Sequence, residues 1–249
     1  MKTDLLFRYR KAKEFCVSDF CRDIVTGSLY DCFKDQGELN YEIKAKNLLP
    51  YGATIDNVNH FLEVIVNNCL LKYYMACFSL SSPFDDSRVL KKFSGDDGFC
   101  IVYDFCSIKE AIGKSILKSK YSNFVPVTYN DKKYDLSPVI KLLVKIVYNH
   151  PNASEQEIES LINEAISDGE NTKTLGKYVT DALAYKKKNY DYEREMRLIY
   201  QRPKGLNNQH PIIIKAIPIK VYISRKMNII YRHRIIEHSN SLQIPYEFY

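Results

Sequence analysis

The charged stretch from Lys186 to Tyr200 constrains the fold of this chain more than any other. In a β-strand alternate side chains lie on opposite faces, so Glu193, Glu195 and Arg197 would share one face. Two carboxylates and a guanidinium cannot be buried together unless their charges are paired or used by a site. The stretch therefore predicts a late strand that carries either a structural ion pair or a pair of carboxylates that handles a substrate.

The rest of the chain predicts an α+β protein with a mixed, mostly antiparallel sheet core and a helical insertion around residues 135–187. The length of 249 residues suits one sizeable core, so we predict a single domain over residues 1–249 with residues 135–187 as a helical lobe. The predicted strands are Leu5–Arg10, Ser28–Phe33, Tyr74–Ser82, Phe99–Phe105, Phe124–Tyr129, Ile212–Ala216, Ile219–Ser224 and Gln243–Phe248. The predicted helices are Lys13–Val25 with Gly27 just past its end, Asp56–Tyr74, Ser107–Leu117, Asp135–Tyr148, Ser154–Ser167 and Thr174–Lys187. Pro83–Asp97 reads as a loop or short helix, and Lys226–Glu237 as a helix or an extended run.

Charge and cysteine usage exclude several classes of protein. The formal net charge of +6 is mild and scattered, so charge alone does not favour nucleic-acid binding. The seven cysteines include no CxxC pair and lie mostly in apolar runs, which is typical of a reducing cytosol and argues against disulfides and zinc. No apolar run reaches membrane-spanning length, and the first residues do not read as a secretory signal. We therefore expect a cytoplasmic protein without a membrane segment or a bound metal.

Short motifs along nearly the whole chain carry a resemblance to a known family. They are Tyr9-Arg10, Leu29-Tyr30, Glu38-Leu39-Asn40, Cys77-Phe78-Ser79, Gly98-Phe99-Cys100-Ile101, Tyr192 to Arg197, Val221-Tyr222-Ile223 and Ile244-Pro245. In this order they resemble a family of bacterial and phage proteins catalogued as a domain of unknown function. The chain departs from the family pattern at Tyr41-Glu42, where Asp-Pro is usual, and over Arg88 to Asp97, where a Trp and a Tyr-Ala are usual. If that second segment shapes a pocket, the departure would alter or abolish activity.

The order of polar residues is also similar to that of arginine-type ADP-ribosyltransferases. An arginine on the first strand, a Ser-x-Ser on a central strand and a Glu-x-Glu on a late strand make up the similarity. It implies NAD as a substrate, whose nicotinamide–ribose bond breaks through an oxocarbenium-like state. Glu195 would stabilise that positive charge and bind a ribose hydroxyl, and Glu193 would orient or deprotonate the acceptor.

The same similarity implies a set of NAD-binding residues. Arg8 or Arg10 would hold the phosphates, Ser79 and Ser81 would position the ribose or buttress the glutamate, and Tyr30 would stack on nicotinamide. Each residue type also has an ordinary structural role. Strand arginines are commonly solvated or paired, strand-end serines bond nearby backbone, and strand tyrosines pack half-buried.

Three functions stay open at this point. The first is an ADP-ribosyltransferase or NAD glycohydrolase, with a protein or nucleic-acid acceptor and a role in a toxin or in phage defence. This function predicts that Arg10, Ser79 and Glu195 converge in one cleft. The second is a non-catalytic binding or regulatory protein, which predicts a closed Glu193–Arg197 or Glu195–Arg8 pair. The third is a metal-dependent protein acting on nucleic acid, which predicts that Asp96, Asp97, Glu193 and Glu195 gather in one place. Oligomeric state is not readable from the sequence.

Overall fold

The structure is a computed structural model that describes residues 5–29, 41–42, 44, 73–114, 122–138, 141, 149–150, 154, 156–157, 160–161, 164, 177–201 and 212–249. The chain divides into two compact units. The first comprises Met1–Leu29, Tyr74–Val127 and Asn189–Tyr249, and the second comprises Tyr30–Tyr73 and Thr128–Lys188. The single domain expected over residues 1–249 stays a prediction.

Helices and a large sheet make up the described part of the chain. The strands are β1 (Leu5–Arg10), β2 (Ile24–Leu29), β3 (Tyr41–Glu42), β4 (Tyr73–Ser79), β5 (Phe99–Asp104), β6 (Ser122–Pro126), β7 (Thr128–Tyr129), β8 (Tyr134–Asp135), β9 (Tyr185–Lys186), β10 (Glu195–Gln201), β11 (Ile212–Lys215), β12 (Lys220–Ile223) and β13 (Tyr246–Phe248). The helices with both ends in the described residues are α1 (Glu14–Phe20), α2 (Ser87–Phe93), α3 (Phe105–Lys114) and α4 (Ile229–Ser241), with a 3-10 helix at Lys188–Glu193. Among these helices none has both the length and the apolar character that crossing a bilayer requires.

The main sheet follows the order β11-β2-β4-β1-β5-β12-β13, and β10 pairs with both β4 and β6. Strand β1 pairs antiparallel with β5 over its whole length, whereas it meets β4 only at Phe7 opposite Ser79. The β12–β13 pair is parallel, and the β2–β4, β2–β11, β5–β12 and β6–β10 pairs are antiparallel. The predicted α+β class with a mixed, mostly antiparallel sheet is therefore confirmed.

The register divides the sheet into two faces. The helix-covered face carries Leu6, Phe78 and Leu198, which belong to one buried cluster with residues of α1, α3 and α4. Phe7 lies on the other side of β1, and because Ser79 is its direct partner, Ser79 lies there too. Glu195 and Arg197 alternate with Leu198 on β10, so they also lie on this second face.

Two predictions from the sequence are wrong, each at a residue whose φ angle is positive. The helix predicted over Lys13–Val25 ends at Phe20, because Asp23 turns the chain with a φ of 56° and β2 begins at Ile24. Gly27, expected just past that helix, lies inside β2. Likewise, the sequence predicts Glu193 within the late strand, but Glu193 lies outside β10. The 3-10 helix extends to Glu193, Arg194 has a φ of 43°, and β10 begins at Glu195.

The second unit contains two short parallel pairs, β3–β8 and β7–β9. Residues 177–183 are helical and precede β9, so the last helix predicted in this region ends earlier than Lys187. The helix predicted over Asp56–Tyr74 lies outside the described residues up to residue 72, and it is wrong at its end, because Tyr73 and Tyr74 belong to β4. The Glu38-Leu39-Asn40 turn also lies outside the described residues. The helices predicted at Asp135–Tyr148 and Ser154–Ser167 fall mostly outside them.

Candidate functional site

The Ser-x-Ser and Glu-x-Glu stretches meet in the folded chain. The hydroxyl of Ser79, at the end of β4, donates to the main-chain carbonyl of Glu193 at 2.7 Å. The amide of Ser81 donates to that same hydroxyl at 3.0 Å, and the amide of Leu80 donates to the carbonyl of Arg194 at 2.9 Å. Two stretches that are 114 residues apart in sequence therefore form one hydrogen-bonded corner on the second face.

The turn at Arg194 buries both carboxylates of the Glu-x-Glu stretch. Glu193 is 1% exposed and Glu195 is 6% exposed, whereas Arg194 between them is exposed. A left-handed φ in a residue other than glycine costs about 1 kcal/mol or more, and such strain concentrates at functional sites. Arg194 carries this conformational cost, and it is the residue that turns both glutamates inward. The strain therefore favours a functional role for Glu193 and Glu195.

Each of these carboxylates contacts a cation. Oε1 of Glu193 lies 2.7 Å from Nζ of Lys92, which is 24% exposed and comes from α2. Glu195 accepts two hydrogen bonds from Arg197, 2.9 Å from Nε and 3.0 Å from Nη2, and the Arg197 side chain is fully buried. The forked guanidinium thereby fixes the orientation of the Glu195 carboxylate.

Cations from α2 also stack on the 3-10 helix beside Glu193. Nζ of Lys92 lies 4.3 Å from the ring centre of Tyr190, and the guanidinium carbon of Arg88 lies 4.4 Å from that of Tyr192. Sequence reasoning missed Lys92, because no local pattern links a lysine in a short helix to a glutamate 101 residues later. The result is a patch with two cations, two tyrosine rings and a buried carboxylate, in which Arg88 is also paired with the carboxylate of Asp86 at 2.7 Å.

The two strand arginines lie on the other side of the sheet. Arg8 and Arg10 alternate with Phe7 and Tyr9, so they lie on the helix-covered face. Arg8 donates to the carbonyl of Thr26 at 2.6 Å and to its hydroxyl at 3.3 Å. Arg10 pairs with Asp19 at 3.2 Å. The expected convergence of Arg10, Ser79 and Glu195 in one cleft is therefore not found, because strand alternation separates Arg10 from the other two.

The residue of β1 that does reach the Ser-x-Ser stretch is Tyr9. Its hydroxyl donates to the carbonyl of Ser81 at 2.7 Å. Burial, and next the neighbouring Cys100, raise the pKa of Tyr9 far above its ordinary value, so the hydroxyl keeps its proton as a donor. From the sequence alone, strand alternation places Tyr9 on one face of β1 and the two arginines on the other. Only the register between β1 and β4 shows that Ser79 lies on the face of Tyr9.

The remaining predicted contacts either have different partners in the structure or involve residues outside the described part of the chain. The structural pairs expected as Glu193–Arg197 or Glu195–Arg8 are instead Glu193–Lys92 and Glu195–Arg197. Tyr30 lies outside the described residues.

The structure does not gather the acidic residues expected of a metal-dependent protein. Asp96 is largely exposed, with its carboxylate 4.0 Å from Lys226. In the described ranges no group of three or more His, Cys, Asp or Glu residues is placed to hold a metal ion, so Asp96, Asp97, Glu193 and Glu195 do not form such a group.

Comparison with known families agrees with the resemblance read from the motifs. The family described as "Protein of unknown function (DUF2971)" matches residues 91–198, which include β5 and the Glu-x-Glu stretch. The resemblance to a family of unknown function is thus confirmed over these residues. Comparisons with curated proteins and with solved structures gave no match, and none of the comparisons shows a similarity to ADP-ribosyltransferases.

Proposed function

We propose that the protein is an NAD-using enzyme, an ADP-ribosyltransferase or NAD glycohydrolase, that acts in a toxin or phage-defence setting. The observation that supports this proposal most is the hydrogen bond from Ser79 to the strained turn that buries Glu193 and Glu195. An ordinary surface ion pair needs neither a left-handed arginine nor a serine from a distant strand to hold it.

The two glutamates suit two different steps of the reaction. Cleavage of the bond between nicotinamide and ribose leaves the bonding electron pair on nicotinamide, which departs uncharged, and places positive charge on the ribose. Glu195, fixed by Arg197, would stabilise that charge and accept a hydrogen bond from a ribose hydroxyl. The acceptor hydroxyl or a water then attacks the ribose carbon, and its proton passes to Glu193.

The NAD phosphates need cations on the same face as the carboxylates. Because Arg8 and Arg10 lie on the helix-covered face, we assign this role instead to Arg88 and Lys92. Arg88 is 67% exposed on its side chain, and its Nε and Nη2 donate to the carboxylate of Asp86, so a phosphate would bind the remaining N–H groups of the guanidinium or displace Asp86 from it. Tyr190 and Tyr192 lie under these cations and offer ring surfaces to nicotinamide or adenine.

The test uses NAD labelled in its adenylate half. The wild-type protein should convert label into free ADP-ribose, or into label attached to an acceptor protein or nucleic acid. Glu193→Gln should lower transfer to an acceptor by roughly 100-fold, because it removes the proton acceptor. The matched control is Glu247→Gln, since Glu247 also lies 2.7 Å from a lysine but is exposed; this variant should keep wild-type activity. Label that remains in NAD with every wild-type preparation and acceptor extract would overturn the proposal.

One observation favours a second function, a non-catalytic binding or regulatory protein. Both glutamates contact a cation, as a closed structural network would require, although the partners differ from those expected. A protein of this kind should show no rise in melting temperature with excess NAD, and Glu195→Gln should lower its melting temperature, because the variant leaves the buried Arg197 without a negative charge. An NAD-dependent rise in melting temperature would exclude it in favour of the enzyme.

A further inference from the structure

Arg8 is a buried cation without a counter-ion. The side chain is 92% buried, in the middle of the helix-covered face, with the ring of Phe78 beneath its guanidinium. Its Nη2 donates to both oxygens of Thr26, but its Nη1 has no hydrogen-bond partner. Of the carboxylates in the described ranges, none forms an ion pair with Arg8, and the nearby Asp19 is bonded to Arg10 and Thr26. Burial of a guanidinium without an opposite charge costs free energy, so an anion bound beside Arg8 would stabilise the folded protein.

Two buried hydroxyls beside Arg8 also lack partners. The hydroxyl of Tyr200 lies against Gly27, the residue that follows the Thr26 to which Arg8 donates. Tyr74 stacks on Tyr200, with ring centres 5.8 Å apart and planes 9° apart. Neither hydroxyl has a hydrogen-bond partner. A buried donor that loses its bond to water costs about 1–3 kcal/mol, so three such donors in one region are unusual in a native core.

The three unsatisfied groups belong to three strands that are neighbours in the sheet. Arg8 is on β1, Tyr74 on β4 and Tyr200 on β10, and β4 pairs with both of the others. The charge on Arg8 acts on Tyr200 and lowers its pKa, although burial, the largest cause, raises that pKa overall. Burial lowers the pKa of Arg8 itself to about 10, so the guanidinium stays charged at neutral pH. All three groups can donate a proton, and Tyr200 lies close enough to both Arg8 and Tyr74 for each of them to act on its pKa.

We propose that this region binds one small anion, held by Nη1 of Arg8 and by the hydroxyls of Tyr74 and Tyr200. Its chemistry is that of a compact acceptor with one negative charge or more, such as a halide, inorganic phosphate or a carboxylate. The site lies on the helix-covered face, whereas Glu195 of the proposed NAD site lies on the second face. The anion therefore supports the core of the first unit and does not take part in NAD cleavage.

The experiment measures the melting temperature of the wild-type protein at constant ionic strength. Gluconate, which is too large for a buried site of this kind, is replaced stepwise by chloride, inorganic phosphate or acetate in separate titrations. At least one of the three should raise the melting temperature along a saturating curve, by roughly 5–10 °C at a hundred times its dissociation constant. Equal melting temperatures in all four anions would overturn the proposal and leave the region to buried water.

Variants connect the effect to the three donors. Arg8→Met and Tyr200→Phe should abolish or strongly reduce the dependence on the anion, and Tyr200→Phe keeps the test valid if Arg8→Met fails to fold. The matched control is Tyr249→Phe, whose hydroxyl already donates to the carbonyl of Gly98 at 3.1 Å. This control should keep the full anion dependence. A wild-type dependence that persists unchanged in Tyr200→Phe would also overturn the assignment.

Discussion

Gly27 shows at the scale of one residue how β2 and β10 depend on each other. A Cβ atom at Gly27 would overlap the hydroxyl of Tyr200 and approach the ring carbon that carries it. The ring cannot easily move away, because it stacks on Tyr74 and is buried. The glycine is therefore needed for space, and not for the helix end that its sequence context suggested.

Gly27→Ala should lower the free energy of unfolding by about 1–3 kcal/mol, as overpacking of a close-packed core does. Tyr200→Phe removes the overlapping oxygen, so the double variant should lose less than the sum of the two single losses. Denaturant unfolding of the four proteins measures this coupling. Strictly additive losses would show that the two residues do not contact each other.

Tyr103 makes stability depend on pH in the alkaline range. Burial raises its pKa from 10.0 to about 12, against the opposing charges of Arg8 and Arg10. The folded state thus holds the proton more tightly than the unfolded state. Its contribution is complete below pH 10 and is lost as pH rises from 10 to 12, a loss of about 3 kcal/mol.

The difference in unfolding free energy between wild type and Tyr103→Phe should therefore shrink over that pH range. Comparing the two proteins isolates Tyr103, since Arg8 acts with the opposite sign: its lowered pKa makes the folded state more stable as pH rises. Denaturant titrations at pH 9, 10 and 11 check the prediction. A constant difference across these pH values would contradict it.

At the scale of elements, the junction between the 3-10 helix and β10 decides the geometry of the candidate site. At this junction the left-handed conformation of Arg194 breaks the strand alternation that would otherwise place Glu193 and Glu195 on one face. The junction is held by the bonds from Ser79 and Leu80 to the carbonyls of Glu193 and Arg194. Its conformation is thus imposed by β4 and not by local preference.

Arg194→Gly should be more stable than Arg194→Ala by about 1 kcal/mol, because glycine adopts a left-handed φ without penalty. Alanine is the matched control, since it removes the same exposed side chain and keeps the Cβ atom. Thermal or denaturant unfolding of both variants gives the difference. Equal stabilities would contradict the left-handed conformation at this residue.

At the scale of the whole molecule, sequence reasoning gave the class of fold, most strands of the main sheet and the shared face of Glu195 and Arg197. These follow from short-range patterns: alternation in β10, and the uncharged runs that became β4 and β5. The sequence did not indicate that Arg8 and Arg10 lie away from the carboxylates. That separation depends on a single register, Phe7 opposite Ser79, between strands far apart in the chain. The Lys92–Glu193 pair was missed because it also joins elements that are far apart in the chain.

The measurement that tests the account most directly is the release of nicotinamide from NAD by the purified protein, beside Glu195→Gln. The glutamine variant keeps the size of the side chain, but its single amide oxygen can accept only one of the two hydrogen bonds from Arg197, so a cooperative melting curve is required to establish that the variant is folded. The account predicts nicotinamide release by wild type and a loss of at least about 100-fold in the variant. No release by folded wild-type protein, or equal release by both proteins, would contradict the account and leave the Glu-x-Glu corner as a structural network.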